Sequence, residues 1–266
     1  MPVAGNSFRH ADDMQDKYAG DVGDFGKIIL LNRLHELVGQ QGRLGINWYR
    51  VARPEKTNRD GGFIEYLDEG SRTANLYRKC DPIVYRKLKE LVHRNRSICT
   101  LEASGVFPKN MVFFSEPLPY GSQPIRERPE LRKAWHSKAV RMLSSARIIF
   151  LDPDNGIQTA NMRETRSRSI KYALNWEIHD YCKHADIVIV YNHRDRTKDT
   201  VYNQKFERVL KPIEKSIRLR VLRFRRVSVR DYAFFFKARS AAIVEQLFRE
   251  LTSQPFDFLF QEYHVN

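Results

Sequence analysis

At 266 residues, with 42% hydrophobic and 29% charged side chains, the chain has the length and composition of one ordinary globular domain. It holds no apolar run of about 18 residues that would span a membrane, and its mixed-charge N-terminus lacks the apolar stretch of a secretory signal. Three widely spaced cysteines exclude a disulfide framework and a patterned zinc site and point to a reducing cytoplasm, while a net charge of +14 points to a polyanionic partner, nucleic acid rather than membrane.

No repeat, low-complexity tract or linker divides the sequence, so a single α/β domain over 1–266 is expected, with an N-terminal motif segment at about 12–31. Apolar spacing at Ile28, Leu31, Leu34 and Leu37 predicts a helix over 25–38. A first strand at 44–51 leads into a long polar connection that contains a turn at 60–63 and ends in a helix at 82–92. Strands follow at 97–102 and 111–115, then a helix at 129–143 and a fourth strand at 147–151. A helix at 172–182, a fifth strand at 186–191 and a helix at 202–215 continue the alternation. The last two strands, 218–224 and 232–237, are so close that only a hairpin joins them; a helix at 240–251 and an apolar tail at 256–260 end the chain. This order predicts a doubly wound, mostly parallel seven-stranded sheet with a C-terminal antiparallel hairpin.

Several segments carry chemistry. In DKYAGDVGDFGKIILL, Gly20, Gly23 and Gly26 allow a tight loop before a helix whose free N–H groups suit an anionic ligand group. Asp21 and Asp24 there either bind a ligand amine or cap the helix. DPDNG follows the apolar strand RIIFL, so Asp152, Asp154 and Asn155 fall where open α/β sheets bind ligands. They are placed to orient a base, activate water or share a metal ion, and they are also ordinary turn formers. In YNHRDR, His193 is a candidate proton carrier, and Arg194 and Arg196 are candidate phosphate contacts. Arg166, Arg168 and Lys171 form a second basic cluster for the nucleic-acid backbone. Glu102, closing the expected second strand, matches the place of an acid that accepts from ribose hydroxyls.

From about Asp16 to Leu251 these segments resemble the large-subunit ribosomal RNA adenine-N6 methyltransferases of the J type, and the strand order is that of a class I methyltransferase-like sheet. The stretch AGDVGDFGKIILL is similar to the family's donor-contacting helix start. DPDN stands where the family has its catalytic Asp-Pro-Pro-Tyr, and DYAFFFKARSAAIVEQLFREL is similar to its ending. The resemblance implies S-adenosylmethionine as cofactor, held by Tyr18, Gly20, Asp21, Asp24, Lys27 and Glu102, with Asp152 orienting the target base. Two departures stand out. NWYRVARPEK follows the first strand with no glycine until Gly61, and Asp154 and Asn155 replace the motif's second Pro and its Tyr. Three readings follow. The first is methyl transfer to a nucleic-acid base. The second is hydrolysis driven by Asp152 or Asp154, as base excision or divalent-metal cleavage in genome maintenance or anti-phage defence. The third is a non-catalytic nucleic-acid binder.

Overall fold

Strand residues of alternating direction build two cores. Ile148, Phe150, Ile187 and Ile189 enter one apolar cluster, while Ile149, Leu151, Val188 and Val190 enter another on the opposite face. Such runs are apolar throughout because helices cover the sheet on both sides. The computed structural model describes residues 16–39, 42–51, 62–118, 123–213 and 216–265. Chain order runs α1 (Val22–Val38), β1 (Leu44–Asn47), α2 (Ala74–Cys80), α3 (Pro82–Arg94), α4 (Ile98–Ala103), β2 (Val112–Phe114), α5 (Arg128–Leu143) and β3 (Ile148–Leu151). A small pair follows, β4 (Gly156–Ile157) and β5 (Tyr172–Ala173), then α6 (Asn175–His184), β6 (Ile187–His193) and α7 (Asp199–Leu210). The chain closes with β7 (Ile217–Phe224), β8 (Arg230–Lys237), α8 (Ala241–Leu251) and β9 (Phe260–Tyr263).

The seven-stranded sheet has the order β2-β1-β3-β6-β8-β7-β9. Its first four strands are parallel, and β8, β7 and β9 each pair antiparallel with the preceding neighbour. The expected hairpin is therefore present, with β8 lying between β6 and β7. Helices α1, α3, α4 and α8 contribute to one core, and α5, α6 and α7 to the other. Among the described residues no helix is long and apolar enough to cross a membrane.

One expected strand is a helix. SICTLE forms the start of α4, where the Ser97 hydroxyl accepts from Thr100 N–H at 3.0 Å and Asp16 Oδ1 accepts from Ile98 N–H at 2.7 Å. Ile98 and Leu101, three apart, are the buried pair, which is a helical spacing. The seventh strand comes instead from the tail, where β9 pairs with β7 through Val221–Tyr263 and Phe224–Phe260. The first strand also stops early. Asn47 Oδ1 accepts from Tyr49 N–H at 3.0 Å, and Tyr49 takes a φ of 49°, so the chain turns away after Asn47. Of the expected turn at 60–63, Asp60 and Gly61 lie outside the described residues.

Gly26 shows why α1 carries glycines inside a helix. A Cβ there would lie 2.5 Å from Cε2 of Phe224, whose ring is fully buried beneath β9 residue Phe260. Gly26→Ala is expected to destabilise the fold by about 1–3 kcal/mol, although alanine is the better helix former by about 1 kcal/mol. A lower urea midpoint at unchanged slope is the readout.

Candidate active site

The parallel strands deliver their C-terminal ends to one edge, with Asn47, Leu151 and Val190 in register. The next residues, Trp48, Asp152 and Tyr191, therefore meet there. The start of α1 closes over them, and together they line a cleft of about 630 Å³, open mouth included. Its other walls include Tyr18, Asp21, Asp24, Lys27, Ile98, Asp154 and Arg230. A cleft outside the carboxyl ends of the strands is the usual ligand position in an open α/β sheet.

Its floor is an ion cluster. Lys27 Nζ donates to Asp24 Oδ1 at 2.8 Å and to Asp152 Oδ2 at 2.6 Å, and lies 4.9 Å from the centre of the Trp48 ring. Burial works against the ammonium, but Asp152 and Asp24 outweigh it and hold Lys27 protonated well above the ordinary lysine range. The Asp152 side chain keeps 16% exposure, so a ligand reaches it from the cleft. Burial raises its carboxyl to about 6, against the opposing pull of Lys27. Asp21 is raised by burial as well, an effect the Arg230 cation opposes across 3.6 Å.

The helix start differs from the expected anion seat. Asp21, not Asp24, is the N-cap: its Oδ1 accepts from Gly23 N–H at 2.7 Å and from Asp24 N–H at 3.0 Å. Val22 N–H donates to the Phe63 carbonyl and Phe25 N–H to the Asp21 carbonyl, so the first N–H groups of α1 are all paired. Phe63 thereby ties the end of the long connection to the cleft. Asp24 turns inward, accepting from Gly20 N–H at 3.0 Å besides holding Lys27. Gly20 takes the left-handed φ of 81° that this turn requires. Gly23 serves close approach instead, since a Cβ there would sit 2.6 Å from Arg230 Cζ.

Other candidate residues separate into those at the cleft and those elsewhere. Tyr18 lies in its wall. Glu102 belongs to α4 and is engaged within the protein: its Oε1 accepts from Trp48 Nε1 and from the Ser115 hydroxyl, both at 2.6 Å. Asp154 reaches the cleft wall and pairs with Lys171 at 3.0 Å. Asn155 is a turn residue behind the wall, its N–H donating to the Lys171 carbonyl and its carbonyl accepting from His193 N–H. His193 stands at the end of β6, outside the cleft lining. Partial burial and then the Arg230 cation push its imidazole below the ordinary value. Arg194 is a loop staple, donating to the Thr197 carbonyl at 2.8 Å and to Asp199 at 2.7 Å while lying over the Tyr202 ring. Arg166, Arg168 and Arg196 are exposed.

Trp48, Tyr191 and Arg230 were not among the residues expected at the site. Trp48 and Tyr191 had a signal, as aromatics near the C-terminal ends of the expected strands 44–51 and 186–191. Arg230 ends the basic run at 218–230, and it reaches the cleft because β8 inserts beside β6, opposite His193. Among the described residues no three His, Cys, Asp or Glu side chains converge as a metal site. Comparison of the chain with protein-family models and with curated proteins gives no match.

Proposed function

We propose that this protein is a nucleic-acid base-modifying enzyme that hydrolyses the bond between a base and its sugar, with Asp152 as the general base. The observation that carries this reading is a partly exposed carboxyl at the floor of a cleft walled by Tyr18, Trp48 and Tyr191, and burial raises that carboxyl to about 6. Aromatic walls suit a flat ring taken out of the nucleic-acid stack, as enzymes acting on a base require. A carboxyl raised above the ordinary aspartate range is better matched to proton transfer than an unperturbed one.

In the proposed step, the water oxygen bonds to C1′ as the C1′–N bond breaks, and the bonding pair leaves with the base. The water proton passes to Asp152 and from there to the departing base, so that base and sugar each end neutral. The ionised carboxylate also favours positive charge developing on the sugar, as in glycoside hydrolysis. Lys27 keeps Asp152 in place through its 2.6 Å hydrogen bond. Exposed Arg166, Arg168 and Arg196, within a chain of net charge +14, would meet the backbone phosphates.

Methyl transfer has one supporting feature, the antiparallel β8 between β6 and β7, which is the order expected of a methyltransferase-like scaffold. The donor's seat does not fit S-adenosylmethionine. Asp21 caps α1, Asp24 holds Lys27 and the Gly20 N–H, Glu102 holds Trp48, and the segment after β1 carries no glycine where the family has a glycine-rich loop. The strand order thus favours the scaffold part of the resemblance, while the engaged carboxylates favour hydrolysis over methyl transfer.

The pH dependence tests the role of Asp152. The reactive form is the carboxylate, so the rate of base release should rise with pH through a midpoint near 6 and then level off. A rate that falls across this range would show that the protonated acid is required and would reverse the assignment.

A further inference from the structure

Two polar atoms beside the cleft lack a hydrogen-bond partner: Nη1 of Arg230 and the hydroxyl of Tyr232, the former in a residue that is 7% exposed and lines the cleft. A buried guanidinium N–H without an acceptor is costly, and native structures seldom leave one unless a ligand or water completes it. The site is built to hold this group. Gly23 leaves room for the guanidinium above the first turn of α1, and Asp21 Oδ2 flanks Nη2 at 3.6 Å. Asp21 cannot also serve Nη1 through Oδ1, which already accepts from Gly23 and Asp24 N–H groups.

We infer that Arg230 reads the carbonyl oxygen of the base held in the cleft, so that the pocket selects bases with a lactam edge, a carbonyl beside a ring N–H, over their amino counterparts. This rests on the reading of the cleft as a base pocket. A guanidinium only donates, so it pairs with a carbonyl and is left unpaired against an exocyclic amino group. The carboxylates of Asp21, Asp24 and Asp152 around it disfavour a phosphate and tolerate a neutral acceptor. Asp21 Oδ2, beside the guanidinium, is an acceptor for the ring N–H that accompanies a lactam carbonyl.

Inosine and adenosine differ at this one edge, and so do uridine and cytidine. Calorimetric titration of the full chain with each pair should show the carbonyl member binding about tenfold to a hundredfold more tightly. Arg230→Met should bring the two members of the pair together, mainly by weakening the carbonyl one, while Arg230→Lys should restore part of the difference. Equal affinity within both pairs, or a preference that survives in Arg230→Met, would overturn the role of Arg230 and leave the base pocket standing. Absence of binding by all four nucleosides at millimolar concentration would overturn the base-pocket reading together with this inference. If Arg230→Met does not fold, Arg230→Lys decides: a reduced preference within each pair supports the role of Arg230, and an unchanged one overturns it.

Discussion

Asp152→Asn is expected to lower base release by about 100- to 10,000-fold, the range for loss of a positioned proton acceptor. Asparagine has nearly the same shape, so the cleft keeps its outline, and Lys27 retains its 2.8 Å ion pair with Asp24. Thermal unfolding should accordingly remain a single transition. Asp154→Asn is the control, since Asp154 stands at the same wall but pairs with Lys171 instead of Lys27. Its effect should be well below that of Asp152→Asn. If the two variants lose activity equally, the water-activating role does not belong to Asp152 alone.

Lys27→Met gives the second large effect, on stability. The lysine is 6% exposed and stands between two carboxylates, so removing it leaves Asp24 and Asp152 facing each other in a poorly hydrated site. Breaking a buried pair from one side costs about 3–5 kcal/mol. The cost should depend on pH with a definite sign. Lys27 pulls the Asp152 carboxyl down, so without it that carboxyl rises further above 6 in the folded state, while the unfolded value stays near 3.8. A folded-state pKa raised in this way gives stability that is present at low pH and lost as pH rises. The variant should therefore approach wild-type stability near about pH 4 and show most of the deficit near about pH 8. Urea unfolding at the two pH values checks this, and an equal deficit at both would contradict the assigned ion cluster. In the active protein the same substitution should move the rise in rate to higher pH.

The parts of the fold legible in the sequence were those with local, repeated signals. RIIFL and DIVIVY read as strands buried on both faces, and they became β3 and β6 side by side. DPDNG then had to lie at the ligand edge of the sheet, and Asp152 does. SICTLE failed because six residues are too few to separate a period of two from one of three to four, and Ser97 as a helix cap decided it. The glycines of α1 were visible, but not their purpose. Gly23 and Gly26 lie within the helix and admit Arg230 and Phe224, which come from about 200 residues further along the chain.

Charge was legible as a total and misleading in detail. Lys171 and Arg194 belong to basic runs, yet Lys171 pairs with Asp154 and Arg194 pairs with Asp195 and Asp199. Acidic partners nearby in sequence or space pair with these cations in the folded chain. The capping of α1 by Asp21 was likewise obscured, because two aspartates three residues apart are equally good caps on paper. Only the position of Lys27 one turn later, reaching to Asp152, gives them different tasks.

The most direct test of hydrolysis is mass spectrometry of oligonucleotides carrying normal and modified bases, incubated with the protein in the absence of any methyl donor. Hydrolysis by Asp152 requires that at least one strand lose a base and gain the elements of water, with the free base recovered in equal amount and the product lost in Asp152→Asn. Strands that all keep their mass without a donor, and gain a methyl group when S-adenosylmethionine is supplied, would contradict it.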